Sequence, residues 1–405
     1  MRRNTGLWIV LLFASWAFAA DWPQFLGPKR DNTSEESVAP WTGALKVLWR
    51  EPAGEGHSSP VVANGRVFTH AKAADREEEE LIARDATTGK LLWRHAYRRP
   101  PFTSIFGNGP RSTPLVDGDR VYSFGASGDL GCWSVTDGEE IWKTNVLGQF
   151  KAQNLFFGVS SSPVIAGDRL LVLVGGPDAS IVAFDKKTGK VDWKSGGDKA
   201  SYSSPIVTEH DGRALALFLT HAGVTALDPA TGKRYWQFPL VDRLAESSTT
   251  PVRTGDSLFA SSVTYGSVGL RLAQKNGQPA YEEIWKNPAL TCYFGTPVAF
   301  GEHLYVVTGN VTPPAALNCV EAKSGKVLWT RPKVGTYHAS VMRAKDRLLL
   351  LEEEGDLVLL EPNPKEYQEL ARSKVCGKTW AHPALANGRL YLRDDKELIC
   401  VELKP

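Results

Sequence analysis

Ala183-Phe-Asp-Lys-Lys-Thr-Gly-Lys-Val-Asp-Trp193 decides the fold, because it recurs. Ala83-Arg-Asp-Ala-Thr-Thr-Gly-Lys-Leu-Leu-Trp93 and Ala226-Leu-Asp-Pro-Ala-Thr-Gly-Lys-Arg-Tyr-Trp236 have the same spacing. Cys132 to Trp142 and Cys319 to Trp329 repeat it with Cys in the first place. A small residue opens each copy, an acid or hydroxyl stands two places on, Gly six on and Trp ten on. A fixed period of this kind marks a repeat architecture. Ile181-Val-Ala-Phe184 reads as a β run, Lys187-Thr-Gly-Lys190 as a tight turn with Gly where φ is positive, and Val191-Asp-Trp193 as the returning strand. Each copy is thus the outer hairpin of a small sheet. Its Trp is expected to cover the seam to the next copy, where a large apolar area can be buried.

A second hairpin precedes each motif. A Ser or Thr is followed by Pro, two apolar residues, a turn and another apolar run. Ser59-Pro60 turns at Asn64-Gly65, Thr113-Pro114 at Asp117-Gly118, Ser162-Pro163 at Gly167-Asp168 and Ser204-Pro205 at Asp211-Gly212. Thr250-Pro251 turns at Gly255-Asp256 and Thr296-Pro297 at Gly301-Glu302. The seventh copy has Ser340 in the Pro position, and the eighth has His382-Pro383 turning at Asn387-Gly388. The anchors are roughly 42 to 54 residues apart, the period of a four-stranded propeller blade. Pro is tolerated at a strand's start because its missing N–H falls at the end of the ladder.

The two ends of the chain complement each other. Glu397-Leu-Ile-Cys-Val-Glu402 begins an outer hairpin and the sequence stops before its Trp. Ala44 to Arg50 is a lone strand ending in Trp49, with no inner strands before it. The expectation is an all-β, eight-bladed propeller over residues 44–405 whose ring is closed by that N-terminal strand. Closure removes the open sheet edge that would otherwise invite aggregation. Residues 1–19 read as a secretory signal: Arg2 and Arg3, an apolar core from Leu7 to Phe13, and a small-x-small site at Ala17-Phe18-Ala19. The apolar run is too short to span a bilayer as a helix. Residues 20–43 do not fit the repeat; Trp22-Pro-Gln-Phe25 followed by Gly27 reads as an irregular arm with two aromatic anchors.

A formal charge of +2 implies neither nucleic acid nor a membrane surface. Thirteen Trp and 37 Gly suit turn-rich β structure. Of the five Cys, Cys132, Cys319 and Cys400 share the small-residue register and are expected as buried free thiols. Cys292 and Cys376 fall in connecting loops, open to pairing or reaction. The acidic run Asp75 to Glu80 reads as a solvated hairpin tip. Two copies are degenerate. The fifth inserts residues between Gly277 and Trp285, and the seventh has Pro362 and Pro364 in place of the Thr-Gly turn and no Trp. The docking set is then Trp49, Trp93, Trp142, Trp193, Trp236, Trp285 and Trp329.

The 11-residue motif resembles the tryptophan-docking repeat of quinoprotein alcohol dehydrogenases. The opening Trp22-Pro-Gln-Phe25…Gly27 segment is similar to the arm of exported PQQ-binding-like β-propeller repeat proteins. That family also contains the propeller subunit of the bacterial outer-membrane β-barrel assembly machine, a non-enzymatic scaffold. The resemblance implies the fold strongly and the activity weakly, since function lives in sites grafted on folds. Its enzymes hold pyrroloquinoline quinone at the ring centre against a Trp and commonly a disulfide of adjacent Cys, with Ca²⁺ on carboxylate and amide oxygens and an Asp as base. This sequence has no adjacent Cys, and its candidate oxygen ligands reduce to Glu246 and Asn154. No cofactor is expected; the quinone with calcium belongs to the alternative, a PQQ-dependent oxidoreductase acting on an alcohol or sugar. The expected role is binding or scaffolding of a protein partner or small ligand by an exported, periplasmic or secreted, monomeric chain.

Register also places a candidate site. The residues three before each anchor are His57, Arg111, Ser160, Tyr202, Ser248, Phe294, Tyr337 and Trp380. Equivalent positions in a closed ring point to equivalent places, so this set is expected at the mouth of the central channel. His57, His338 and His382 precede anchors of adjoining copies, without the spacing of a metal motif. The expected ligand set is His57, Arg111, Tyr202, Phe294, Tyr337, His338, Trp380 and His382. In it Arg111 and His57 meet an anionic or hydroxyl-rich group and the aromatic rings stack on a flat one.

Overall fold

The computed structural model describes residues 21–404, so the signal segment lies outside the described residues. Eight antiparallel sheets of four repeat strands form the blades of a propeller. Blade one shows the plan: Val61–Ala63 innermost, then Arg66–Lys72, Glu78–Asp85 and Leu91–Arg98 outward. The short inner strand starts just after the Ser/Thr-Pro pair. The chain therefore runs down, up, down and up across each blade, and every blade-to-blade connection emerges on the face that carries the anchors.

The small residue of each motif lies directly across the ladder from the Trp. Ala83 faces Trp93, Cys132 faces Trp142, Ala183 faces Trp193, Ala226 faces Trp236, and Cys319 faces Trp329. Cross-strand Cβ atoms are only about 5 Å apart, so a buried Trp leaves its partner little room. The acid two places on caps the turn. Asp185 Oδ1 accepts from the Lys187 and Thr188 amides and the Thr188 hydroxyl, and Asp85 does the same for Thr87 and Thr88.

The turn Gly has a second reason besides its positive φ. A Cβ on Gly138, Gly189, Gly232 or Gly325 would stand 2.4–2.6 Å from a ring carbon of Trp93, Trp142, Trp193 or Trp285, each the docking Trp of the preceding blade. The indole N–H of each donates to a carbonyl of the same turn: Val135, Lys186, Pro229 and Ala322 respectively. Blade joins blade by a ring laid on a glycine and pinned by one hydrogen bond. The degenerate copies depart from this. Blade five extends its outer hairpin to Lys275 and Gln278, so it has no such turn. Trp236 accordingly packs on Tyr281 at 4.9 Å, and its buried N–H finds no partner. In blade seven Ala371 stands where the Trp would, opposite Leu359.

The Ser and Thr before each Pro form a belt. The Ser59 amide donates to Thr113 Oγ1, Thr113 to Ser162 Oγ, and Ser162 to Ser204 Oγ. Thr250 donates to Thr296 Oγ1, and His382 to Ser59 Oγ at 2.9 Å. Each of these five acceptor hydroxyls thus satisfies a buried amide of the neighbouring blade, a bond of net worth about 1 kcal/mol. The belt is broken at Ala339, which has no hydroxyl, and at Thr250, whose own hydroxyl is buried without a partner.

Closure is by Val47–Pro52, which pairs antiparallel with Glu397–Glu402 and sets Trp49 opposite Cys400. Trp49 then docks on blade one. Its N–H donates to Ala86 O at 3.2 Å, and its ring lies 2.8 Å from where a Gly89 Cβ would be.

The arm passes beneath the belt. Trp22 is buried and bridges Val62, Phe25 meets His382 edge-on at 5.2 Å, and Val116 N donates to Pro23 O. The buried Arg30 guanidinium donates to the Pro163 and Ser162 carbonyls, and Asn32 Nδ2 to Val341 O. Thr33–Ser34 adds a parallel strand to Ala339–Ala344 of blade seven. One segment therefore ties blades one, two, three, seven and eight across the channel.

Two expectations need correction or resolution. Asp75 to Glu80 is not simply a solvated tip, because Glu79 is fully buried and Glu80 nearly so. Glu79 takes hydrogen bonds from Arg99, Tyr97 and the Ala126 amide, with His70 at 3.5 Å. Burial alone would raise its pKa, but these partners hold it well below the usual carboxylate range. Charge in the sequence cannot distinguish a solvated run from one that seals a seam. Cys292 and Cys376 are free and buried, as are Cys132, Cys319 and Cys400. Among the described residues no helix is long and apolar enough to cross a membrane.

Candidate functional site

Above the belt the channel mouth is a cup of ≈ 130 Å³. Seven of the eight register residues line it: His57, Arg111, Ser160, Tyr202, Ser248, Phe294 and Trp380. Ser59, Ser162, Ser204 and His382 lie deeper, and Phe25 of the arm forms part of the lining with its edge on His382. Phe106 and Phe157 complete the wall from the connections entering blades two and three. These three Phe were missed, because the arm and the connections have no fixed register.

Trp380 dominates one side. It stacks on Phe294 at 5.4 Å and meets Phe106 at 5.0 Å and His57 at 5.1 Å. Its indole N–H donates to Glu353 at 2.8 Å. Glu353 is buried and also takes the Tyr337 and His338 amides and Lys378. Burial raises its pKa, but the bonds from Trp380 and the two amides outweigh that and hold it below the usual carboxylate value. Glu353 belongs to a hairpin tip, Glu352-Glu-Glu354, with no sequence sign of its role.

Tyr337 departs from its register partners. It lines an adjoining hollow of ≈ 280 Å³ with His57, Lys378, Trp380 and Asp395. Blade seven lacks the Pro, and its six-residue inner strand begins early, at Ala339, where six of the other seven have three residues. His338 is not in the cup wall. It is buried, with its ring 5.6 Å from His382 and its Nε2 on Ser340 Oγ at 3.0 Å.

Burial sets the charges of the site. Burial pulls His57 down to about 4, and its Nε2 lies 2.7 Å from Phe106 O, so the neutral ring donates there. Burial takes His338 and His382 down to about 3. All three are neutral at pH 7, and among the described residues no three His, Cys, Asp or Glu are placed to hold a metal. Arg111 remains charged, although burial lowers it to about 10. Its donors go to Gly109 O, Phe106 O, Gly107 O and Ser104 Oγ. Arg111 therefore fixes the 104–109 loop, and His57, neutral, meets a ligand group only through hydrogen bonding. The lining holds no carboxylate. A cup of aromatic rings, hydroxyls and neutral imidazoles is suited to holding an apolar group and lacks an acid–base pair that titrates near neutrality.

The profile of one protein family, described as outer membrane protein assembly factor BamB, matches residues 42–106 and 77–331. The chain belongs to this PQQ-like propeller family. It is 27% identical over 297 residues to outer membrane protein assembly factor BamB of Burkholderia pseudomallei, covering 68% of this chain and 69% of that one. It is 25% identical over 245 residues to a quinoprotein ethanol dehydrogenase of Pseudomonas putida, covering 55% of this chain but only 37% of the enzyme. Among solved structures, BamB from Moraxella catarrhalis superposes with a TM-score of 0.63 at 14% identity, over 89% of this chain and 98% of that one. The quinohemoprotein alcohol dehydrogenase of Comamonas testosteroni gives 0.67 at 13% identity, over 95% and 80%. At these identities the structural likeness speaks for the fold.

The dehydrogenase relatives raise the question of a quinone. The residues do not fit it. Ca²⁺ takes six or more oxygens, and the cup wall offers only hydroxyls. Glu246 accepts the Tyr293 hydroxyl at 2.8 Å, and Asn154 spends its amide on Ala126 O and the Leu155 amide. The cup is also smaller than the ~300 Å³ at which small-molecule sites begin.

Proposed function

We propose that this chain is an exported, non-enzymatic docking propeller that receives a protein partner at its channel mouth. The observation that carries this is the cup: an aromatic wall around Trp380, free of carboxylate, above a channel crossed by the chain's own arm. Such a site can desolvate an apolar group and has no machinery to transform it. The relative named as an assembly factor aligns over most of both chains, which supports a scaffold over a catalyst. A periplasmic or secreted location agrees with the signal-like start.

Two measurements test the reading. Trp380→Ala should abolish retention of partners from the exported fraction while the fold, read by circular dichroism, is kept. Reconstitution with pyrroloquinoline quinone and Ca²⁺ should give no dye reduction with alcohols or sugars. Dye reduction that saturates with the quinone would establish the enzymatic alternative instead.

A further inference from the structure

The cup does not stand alone. Beside it, on the same face, lies a groove of ≈ 810 Å³ lined by three successive connections, through Lys151 and Phe156, Lys199 and Tyr202, and Leu244 and Glu246, and by the Gly175 to Pro177 turn of blade three. Tyr202 lines both, and Phe157 of the cup meets Phe156 of the groove edge-on at 4.9 Å. Phe156 is 69% exposed and Leu244 47%. Exposed apolar side chains of that size on one groove suit an interaction surface.

The groove also carries a net positive charge, two ammonium groups against one carboxylate. Lys151 and Lys199 line it, and neither ammonium has an ion-pair or hydrogen-bond partner among the described residues. Its single carboxylate, Glu246, is occupied by the Tyr293 hydroxyl. The cup has room for one side chain, yet it opens onto a hollow several times larger. An occupant that fills the first with one group while lying in the second is a chain bearing a side chain.

We propose that the groove and cup together take an extended, acidic polypeptide segment of the partner. One large apolar residue enters the cup against Trp380 and Phe294, and acidic residues nearby lie over Lys151 and Lys199. This rests on the docking function argued above and adds the chemistry of the partner. The buried aromatic anchor supplies affinity and the lysines supply selection, the usual division between a hot spot and its charged rim.

The test uses the full-length protein and three labelled synthetic peptides of Gly and Ser. One carries a single Trp flanked by Asp residues, one has Lys for each Asp, and one has Gly for the Trp. Fluorescence anisotropy is read at low and high salt. The Asp–Trp peptide is expected to bind at least tenfold more tightly than either variant, with the preference for Asp fading in salt. Trp380→Ala should remove binding of all three. The double variant Lys151→Glu/Lys199→Glu, on the surface and harmless to folding, should invert the preference toward the Lys peptide. Equal binding of the Asp and Lys peptides, or no inversion, overturns the acidic-segment inference while Trp380 dependence leaves the docking reading standing. No binding of the Asp–Trp peptide at about 1 mM overturns the inference as well. Binding that ignores Trp380→Ala overturns the mouth itself.

Discussion

Gly325→Ala should cost far more than Gly277→Ala, although both glycines sit in the outer turn of adjacent blades with φ of +69 and +70. A left-handed backbone costs a residue with a Cβ about 1–2 kcal/mol. At Gly277 nothing lies within 4 Å of the new methyl, so that strain is the whole effect. At Gly325 the methyl would stand 2.4 Å from Trp285 Cε3 and 2.6 Å from Cδ2. The ring cannot give way easily. It is buried, and its N–H is held on Ala322 O at 2.9 Å. Overpacking of this kind costs about 1–3 kcal/mol, and losing the indole bond about 1 more. We expect about 1–2 kcal/mol for Gly277→Ala and about 3–6 for Gly325→Ala, read as urea midpoints by tryptophan fluorescence. In a Trp285→Ala background the two should become equal, because only strain is left. If Gly325→Ala matches Gly277→Ala to within ~0.5 kcal/mol, or keeps its excess without the indole, the ring-on-glycine clasp does not join the blades.

Three further outcomes follow from geometry already given. Deleting residues 44–50 removes Trp49 and opens two sheet edges, so the product should aggregate; even truncating such a buried ring costs about 3–5 kcal/mol, and an unchanged melting temperature would refute closure by this strand. Burial pushes the Cys132, Cys292, Cys376 and Cys400 thiols up to about 12 and Cys319 to about 11, so all five should resist alkylation until urea unfolds the chain, as mass mapping can show. Stability should fall as pH drops below about 6.5, since the unfolded chain protonates His338 and His382 there while the folded one holds them neutral down to about 3. Asp129, raised by burial to about 6, works the other way between about 6 and 4 and blunts the fall. His382→Gln should make the decline in melting temperature shallower, and an identical pH profile would refute the assignment.

The blades were legible because their physics is local and repeated. The Trp, the Gly and the acid of one motif serve each other's neighbours at fixed offsets, so the pattern survives in the sequence. The ring of residues ahead of the anchors was legible for the same reason, and seven of eight line one cup. Tyr337 strayed where Ser340 replaces the Pro that sets the strand's start elsewhere. The neutrality of His57 and the task of Arg111 depend on desolvation and on carbonyls of the 104–109 loop, which no spacing encodes. The path of the arm was equally hidden. Arg30 reads as one more surface cation until the Ser162 and Pro163 carbonyls are seen to surround it.

The closing strand has a consequence in time. Arg50 pairs with Glu397, a residue 347 positions later. A chain made or delivered from its amino end presents Val47–Pro52 first and must keep it unpaired until nearly the last residue arrives. Seven blades can assemble by short-range steps while the eighth waits. Such distant pairings are slow to form, and a waiting strand is open to capture by the wrong neighbour. The clasp that makes the finished ring edgeless therefore cannot shut until nearly the whole chain is present. The interval before it shuts is when a chaperone would matter most.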